Sequence, residues 1–302
     1  MSQRVAVTGS SGLIGGALSR FLRERGDQVV RLVRRPAAGP HEVQWDPSAR
    51  HLDPEALRGV DAVVHLAGAG VGDQRWTPAY QQQILASRVD GTATLAEALA
   101  RLGDGVRLVC GSAVGFYGDR GDEVLTEESG PGDGFLSEVV RAWEAAADPA
   151  REAGLSVAHS RTGIVLAASG GAMARMLPLA RLGINGPLGS GRQWWPWITL
   201  SDAVAGLAFL VDRPDLTGPV NLVGHSPDRQ VDLARALGHR LHRPAVLPAP
   251  AFGIKLVLGG FSEEVLTSKR ALPSRLTAAG FVHRNTDLGS ALDQVLGSGQ
   301  PG

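Results

Sequence analysis

The feature that most constrains this chain is the run Val7-Thr8-Gly9-Ser10-Ser11-Gly12-Leu13-Ile14-Gly15. It continues the stretch Arg4–Val7 (RVAV), which reads as a short buried strand. It opens a stretch, Leu13–Arg25, with helical apolar spacing that Gly26 ends. A strand, a glycine turn and a helix in that order place free backbone N–H groups and the positive end of a helix dipole around an anion. Gly9 permits the tight turn, Gly12 lets the backbone approach a pyrophosphate, and Gly15 lets the helix pack closely on the sheet. A purely structural turn would need none of this context.

The rest of the first half repeats the alternation. Strands are expected at Gln28–Val33, Asp61–Leu66, Val106–Gly111 and Ser156–Leu166. Helices are expected at Pro78–Ala100 and Gly134–Ala153. This order means βαβ units, and so a doubly wound parallel sheet of the Rossmann type, with a smaller C-terminal substrate lobe. Residues 1–168 are assigned to the nucleotide-binding domain. Residues 169–302 are assigned mainly to the lobe, with 193–223, including a strand at Pro219–Val223, returning to the sheet. Ser169–Gly191 shows no long period, a short helix is expected at Asp202–Val211, and Gly297–Gly302 reads as a flexible end.

Composition narrows the function. Thirty basic residues offset thirty acidic ones, which argues against a nucleic-acid binder working through a basic face. The one cysteine, Cys110, can form no intramolecular disulfide. No apolar run suits a membrane span or a signal peptide, so a cytoplasmic location is expected. His, Asp and Glu nowhere take metal-ligand spacing, and no metal site is expected. Gly111-Ser112-Ala113 lacks the flanking glycines of a hydrolase nucleophile elbow.

The second strand ends in Leu32-Val33-Arg34-Arg35-Pro36. An acid here would bond both ribose hydroxyls of NAD. There is none, and Arg34 and Arg35 follow at once. A guanidinium fork suits a 2′-phosphate, so the expected cofactor is NADP.

The Thr8-Gly9-x-x-Gly12-x-x-Gly15 turn, His65-Leu66-Ala67-Gly68 and Gly91-Thr92 resemble an extended short-chain dehydrogenase/reductase. More specific runs are Ser87-Arg88-Val89, Ser112–Gly118, Phe135-Leu136 through Trp143-Glu144, and Gly189–Gln193 leading to Trp197-Ile198. With Arg243-Pro244 and Ala279–Phe281 they resemble an atypical subgroup, the epimerase-family or sugar-nucleotide epimerase-like proteins. The resemblance runs from Arg4 to about Leu292. It implies that Gly9, Ser11, Gly12, Leu13, Ile14 and Gly15 form the pyrophosphate turn, and that Arg34, with Arg35, meets the 2′-phosphate. Leu66, Ala67 and Gly68 would lie along the riboses. Gln83 and Arg88 are further cofactor candidates, although five residues apart on a helix they do not share a face. Ile164 and Val165 would approach the nicotinamide.

The catalytic pattern of that superfamily breaks here. Its usual Tyr-x-x-x-Lys pair puts both side chains on one helical face, where the ammonium lowers the tyrosine pKa. In this chain the tyrosine position falls at Phe135 or Leu136, the lysine position at Val139 or Val140, and the serine position at Ala113. The only lysines are Lys255 and Lys269, and the only tyrosines Tyr80 and Tyr117. The catalytic candidates that remain are Tyr117, as a proton donor or as a packed aromatic, and its neighbour Ser112.

Several further groups carry two readings each. Arg192, Gln193, Trp194, Trp195 and Trp197 form either a substrate-pocket wall or a seam between the lobes. His65 reads as a packed or cofactor-loop histidine. The acids from Asp119 to Asp133 read as a solvated loop. Asp202 reads as a helix cap or first-turn acid. The chain is thus expected to be a monomer or homodimer that works on a small molecule as an NADP-dependent oxidoreductase or epimerase. The alternative is a binding module that holds NADP without turnover.

Overall fold

The computed structural model describes residues 2–103 and 105–297. The end segment expected to be flexible therefore lies outside the described residues beyond Gly297. The first half runs β1 (Arg4–Thr8), α1 (Leu13–Glu24), β2 (Gln28–Val33), β3 (Glu42–Gln44), β4 (Ala62–His65), α2 (Pro78–Leu102), β5 (Arg107–Ala113), β6 (Val124–Leu125), α3 (Phe135–Ala145) and α4 (Asp148–Glu152). The second half runs β7 (Val157–Thr162), β8 (Ile164–Leu166), α5 (Gly171–Arg181), β9 (Trp194–Trp195), β10 (Trp197–Thr199), α6 (Leu200–Asp212), β11 (Gly218–Leu222), β12 (Asp228–Arg229), α7 (Gln230–Arg240), α8 (Ala251–Leu258), α9 (Ser262–Leu266), β13 (Arg270–Ala271), α10 (Ser274–Ala278) and α11 (Leu288–Gly297).

Seven strands form one parallel sheet in the order β3-β2-β1-β4-β5-β7-β11. Chain order reverses between β1 and β4, so a crevice opens past their carboxyl ends. This is a Rossmann-type fold. Both faces are covered. Val5, Val7, Val64 and Val109 pack with Leu18 and Leu22 of α1 and Leu207 of α6. Ala6, Val63, Leu108 and Cys110 pack on the other face with Leu95 and Leu99 of α2. Strands buried on both faces are continuously apolar, which is why β1 and β4 stand out in the sequence.

Three local readings change. The stretch expected as one strand over Ser156–Leu166 breaks at Gly163. There a side chain would run into the Pro196 carbonyl, and β8 leaves the main sheet to pair with β10. The helix expected over Gly134–Ala153 turns at Ala146-Ala147 and resumes as α4. The segment 169–191, aperiodic on reading, contains α5. Its Met173, Leu177 and Ala180 bury one face despite Pro178 within the helix, joining Leu233 and Leu237 of α7 and Leu292 of α11 in a separate apolar cluster. Among the described residues no helix is long and apolar enough to cross a membrane.

Candidate functional site

The glycine turn is built as its spacing requires. Gly9 has φ +64, and a Cβ there would lie 2.8 Å from the Leu66 carbonyl. A Cβ on Gly15 would strike the Gly9 carbonyl. Gly12 donates to Gly9 O at 2.9 Å and stands at the α1 N-terminus with no side-chain cap. The turn thus keeps its first helical N–H groups open to an anion. Ser11 is exposed, Ile14 packs on the core beneath, and Leu13 touches Gly170 of the loop before α5.

The adjoining loop after β4 is fixed from two sides. Thr8 Oγ1 accepts the Leu66 and Ala67 N–H groups at 3.0 and 3.1 Å and lies 2.8 Å from His65 Nδ1. With two donors already on the oxygen, the hydroxyl hydrogen must go to Nδ1, so His65 carries its proton on Nε2. The ring is fully buried against Trp45. Burial first, and Arg88 second, press its pKa down to about 3. His65 is therefore a neutral scaffold residue. On the other side Ala69 N donates to Ser87 Oγ, and Arg88 Nη1 donates to Ala69 O and Ile84 O. The Arg88 guanidinium also lies over Trp143, 5.0 Å from the ring centre. Gln83 is exposed on a different face of α2, as its spacing from Arg88 implies.

Past the end of β2 the two arginines part company. Arg35 forms a two-pronged pair with Glu42 of β3, each contact 2.7 Å, and Glu42 also takes Arg31 and Ala38 N–H. Arg34 is exposed and makes no ion pair among the described residues. The carboxylate that binds Arg35 comes from the next strand, and pairing along the sheet is invisible in the local run. Arg35 is committed to the loop, whereas the Arg34 side chain stays exposed.

A cavity of about 200 Å³ opens where β5 and β7 end. Its wall includes Arg88, Ala113, Leu136, Val140, Thr162 and Glu264. Ile164 lies on the same wall, while Val165 packs toward the core. A larger cavity, about 690 Å³, lies between α1, α5, α6 and α11 and is lined by none of the candidate cofactor, catalytic or substrate residues.

Neither Ser112 nor Tyr117 faces the smaller cavity. Ser112 sits one residue before Ala113, and alternate strand residues point to opposite faces. Its hydroxyl donates to Glu144 Oε1 at 2.6 Å. Arg161 closes a two-pronged pair with Glu144, 2.8 Å to each oxygen. Tyr117 has no exposed surface; its hydroxyl donates to Asn221 Oδ1 at 2.7 Å and accepts from Arg161 at 3.2 Å. Burial raises its pKa. Burial also pushes the Glu144 carboxyl upward, but Arg161 outweighs it and holds the group ionised. As proton donors to a substrate both candidates are corrected: their hydroxyls are used within the fold.

The tryptophan run is likewise corrected from wall to seam. Trp197 is 1% exposed and donates to Asp228 at 2.8 Å. Trp195 donates to Val265 O. Trp194 lies between the guanidinium groups of Arg229 and Arg270 and donates to Asp122. Gln193 is buried, with its amide on Leu188 O and Val265 O, and Arg192 is exposed. None of these side chains lines either cavity.

The acidic loop is no simple solvated segment either. Asp119 accepts Ser268 N–H, and buried Glu127 accepts the Asn221 and Arg275 N–H groups. Asp202 is the first-turn acid of α6, with Thr199 as the cap, and it receives Arg284 and Asn285 N–H. Among the described residues no group of His, Cys, Asp and Glu is arranged to hold a metal ion. The residue missed by reading the sequence is Glu264. It stands in a C-terminal helix, 128 positions from Leu136, with no motif around it.

Fold and turn together define an extended short-chain dehydrogenase/reductase fold. The chain belongs to the NAD dependent epimerase/dehydratase family, whose pattern matches residues 5–223; a domain of unknown function, DUF1731, matches 249–295. It is 42% identical to "Epimerase family protein Mb2239" of Mycobacterium bovis, over 95% of this chain and 96% of that one. It is 36% identical to the Bos taurus epimerase family protein SDR39U1, over 97% and 99%. The crystal structure of the human SDR39U1 protein with NADPH superposes with a TM-score of 0.88 at 32% identity, covering 97% of this chain and 99% of that one. A nucleoside-diphosphate sugar epimerase from Corynebacterium glutamicum gives 0.81 at 36%, covering 99% of this chain and 59% of that one.

Proposed function

We propose that this protein binds NADP and acts as an oxidoreductase or epimerase on a small molecule. The observation that carries the reading is the uncapped glycine turn, whose close approaches leave no room for a Cβ at Gly9 or Gly15. The NADPH held by the human relative supports it. Gly9, Ser11, Gly12, Leu13, Ile14 and Gly15 hold the pyrophosphate, and Arg34 the 2′-phosphate. Leu66, Ala67 and Gly68, braced by Thr8 and Arg88, flank the riboses. Ile164 and Val165 offer backbone groups to the nicotinamide amide. When bound, the cofactor supplies or accepts a hydride. The apolar wall of Leu136, Val139, Val140 and Trp143 keeps water from the reacting face. The lobe built largely from residues 169–302 closes the substrate side.

Titration of NADPH by its fluorescence, followed by a metabolite screen for changes in the bound nicotinamide signal, tests this. Saturable NADPH binding and at least one substrate that oxidises or reduces the cofactor are expected. Absence of NADPH binding overturns the reading. A second reading, a sensor that holds NADP without turnover, draws on the apolar residues Ala113, Leu136 and Val140 at the relay positions. Tight binding with no turnover across the screen selects it.

A further inference from the structure

By the family resemblance, the related enzymes' serine, tyrosine and lysine fall here at Ala113, at Phe135 or Leu136, and at Val139 or Val140. Of these, Ala113, Leu136, Val139 and Val140 wall the cavity at the ends of β5 and β7, and none can move a proton. The ionisable side chains on the wall are Arg88 and Glu264. Arg88 is committed to two carbonyl oxygens, and a guanidinium keeps its proton at neutral pH even where burial lowers its pKa to about 10. The Thr162 hydroxyl donates to Ser160 O at 3.1 Å.

Glu264 differs from both. It enters from α9, in the C-terminal segment, and its side chain is 24% exposed. Oε2 accepts from Lys269 Nζ at 3.1 Å, and Lys269 also donates to Thr267 at 2.7 Å. Lys269 itself is buried, with its backbone N–H on Trp194 O, so the tryptophan seam fixes the ammonium that holds the carboxylate. Oε1 has no protein partner among the described residues. Next to Glu264, the Glu263 carboxylate lies against Gly134 at the start of α3, which sets the helix against the cavity rim.

We propose that Glu264 is the proton-transfer residue of this site, positioned by Lys269, and that the substrate is an alcohol or the matching carbonyl compound. The proposal rests on the reading of the crevice as an NADP site. In the oxidation direction the substrate O–H bond breaks and its proton passes to Glu264 Oε1. The C–H bond on the same carbon breaks, its hydride goes to NADP⁺, and the carbonyl forms. Reduction returns both. A carboxylate is a general base of the right kind for such a step, and the Lys269 ammonium holds it in place through Oε2. The altered wall and the C-terminal module thus belong together, since the module brings the group that the wall has lost.

The test uses the full-length protein without substrate. The nicotinamide ring is cationic in NADP⁺ and neutral in NADPH, so a carboxylate in its cavity favours the oxidised form. In Glu264→Gln the Kd for NADP⁺ should rise about tenfold while that for NADPH changes less than about twofold. Lys269→Met, which removes the ammonium that offsets this carboxylate, should shift the affinity ratio further toward NADP⁺. If Glu264→Gln fails to fold, Lys269→Met carries the test alone. An affinity ratio unchanged in Glu264→Gln, or in Lys269→Met where that variant stands alone, overturns the proposal while the cofactor reading stands. Loss of NADPH binding by the unaltered protein overturns both.

Discussion

The Ser112 hydroxyl donates to the Glu144 carboxylate over 2.6 Å, and the same Oε1 accepts from Arg161 Nε at 2.8 Å. The network extends through Arg161 to Tyr117 and Asn221. A buried network of this kind stabilises the fold only while every member is satisfied. In urea denaturation Tyr117→Phe should cost about 1–3 kcal/mol, because it leaves the buried Asn221 Oδ1 without its donor, and Ser112→Ala less, about 0.5–1.5 kcal/mol, because Arg161 still donates to Glu144 Oε1. Arg161→Leu should cost more, about 3–5 kcal/mol, because it strands the Glu144 charge. NADPH affinity should be nearly unchanged in Ser112→Ala and Tyr117→Phe. A loss of turnover in Tyr117→Phe without loss of stability would return that residue to the chemistry.

Arg34 and Arg35 should separate in a cofactor-preference assay. A charged hydrogen bond is worth about 1.5–3 kcal/mol, so NADPH should bind about tenfold or more tightly than NADH. Arg34→Ala should remove most of that preference. Arg35→Ala should leave most of it and instead loosen the loop that Glu42 organises, seen as faster amide exchange at Ala38. Equal affinities for the two cofactors in the unaltered protein, measured by calorimetry, would remove the role given to Arg34.

The glycine turn tolerates no methyl group at two positions. Gly9→Ala must hold φ +64 and meet the Leu66 carbonyl at 2.8 Å; Gly15→Ala must displace the Gly9 carbonyl. Both should weaken NADPH binding at least about tenfold. Gly26→Ala, at φ +96 with open space around it, should cost only backbone strain, about 1–2 kcal/mol of stability, with the affinity kept.

Trp197→Phe keeps most of the apolar bulk at the seam but leaves Asp228 without its indole donor. A loss of about 1–3 kcal/mol is expected. Trp197→Ala opens a cavity in a fully buried site and should cost about 3–5 kcal/mol. Full turnover per folded molecule in both variants, measured against circular dichroism, is the outcome expected of a seam residue.

His65 makes stability depend on pH in a defined direction. Its folded pKa, about 3, lies below the ordinary 6.5. Between those values the unfolded chain binds a proton that the folded chain refuses. The contribution is complete above pH 6.5 and falls by about 1.4 kcal/mol for each pH unit below it, until about pH 3. In His65→Asn the slope of unfolding free energy against pH should lose about one proton between pH 6 and pH 4. An unchanged slope would mean the imidazole is charged in the folded state.

The sequence by itself determined the sheet and the glycine turn. These are written in contiguous residues: apolar strands buried on both faces, glycines where backbone meets backbone, an acid missing at the end of β2. The break at Gly163 is not legible locally because the Pro196 carbonyl that forbids a side chain there comes from between β9 and β10, over thirty residues on. The helix α5 is masked in the sequence by Pro178 and by a buried face of only three residues, Met173, Leu177 and Ala180. Tertiary structure alone decided what the isolated polar groups do. Tyr117 and Ser112 face away from the cavity because strand alternation and the Glu144–Arg161 pair turn them inward, and Arg35 is taken by an acid seven residues on. Glu264 reaches the cavity only because the C-terminal segment folds back across the end of the sheet. A side chain's role is set by which distant group desolvates it or pairs with it, and local spacing carries no record of that.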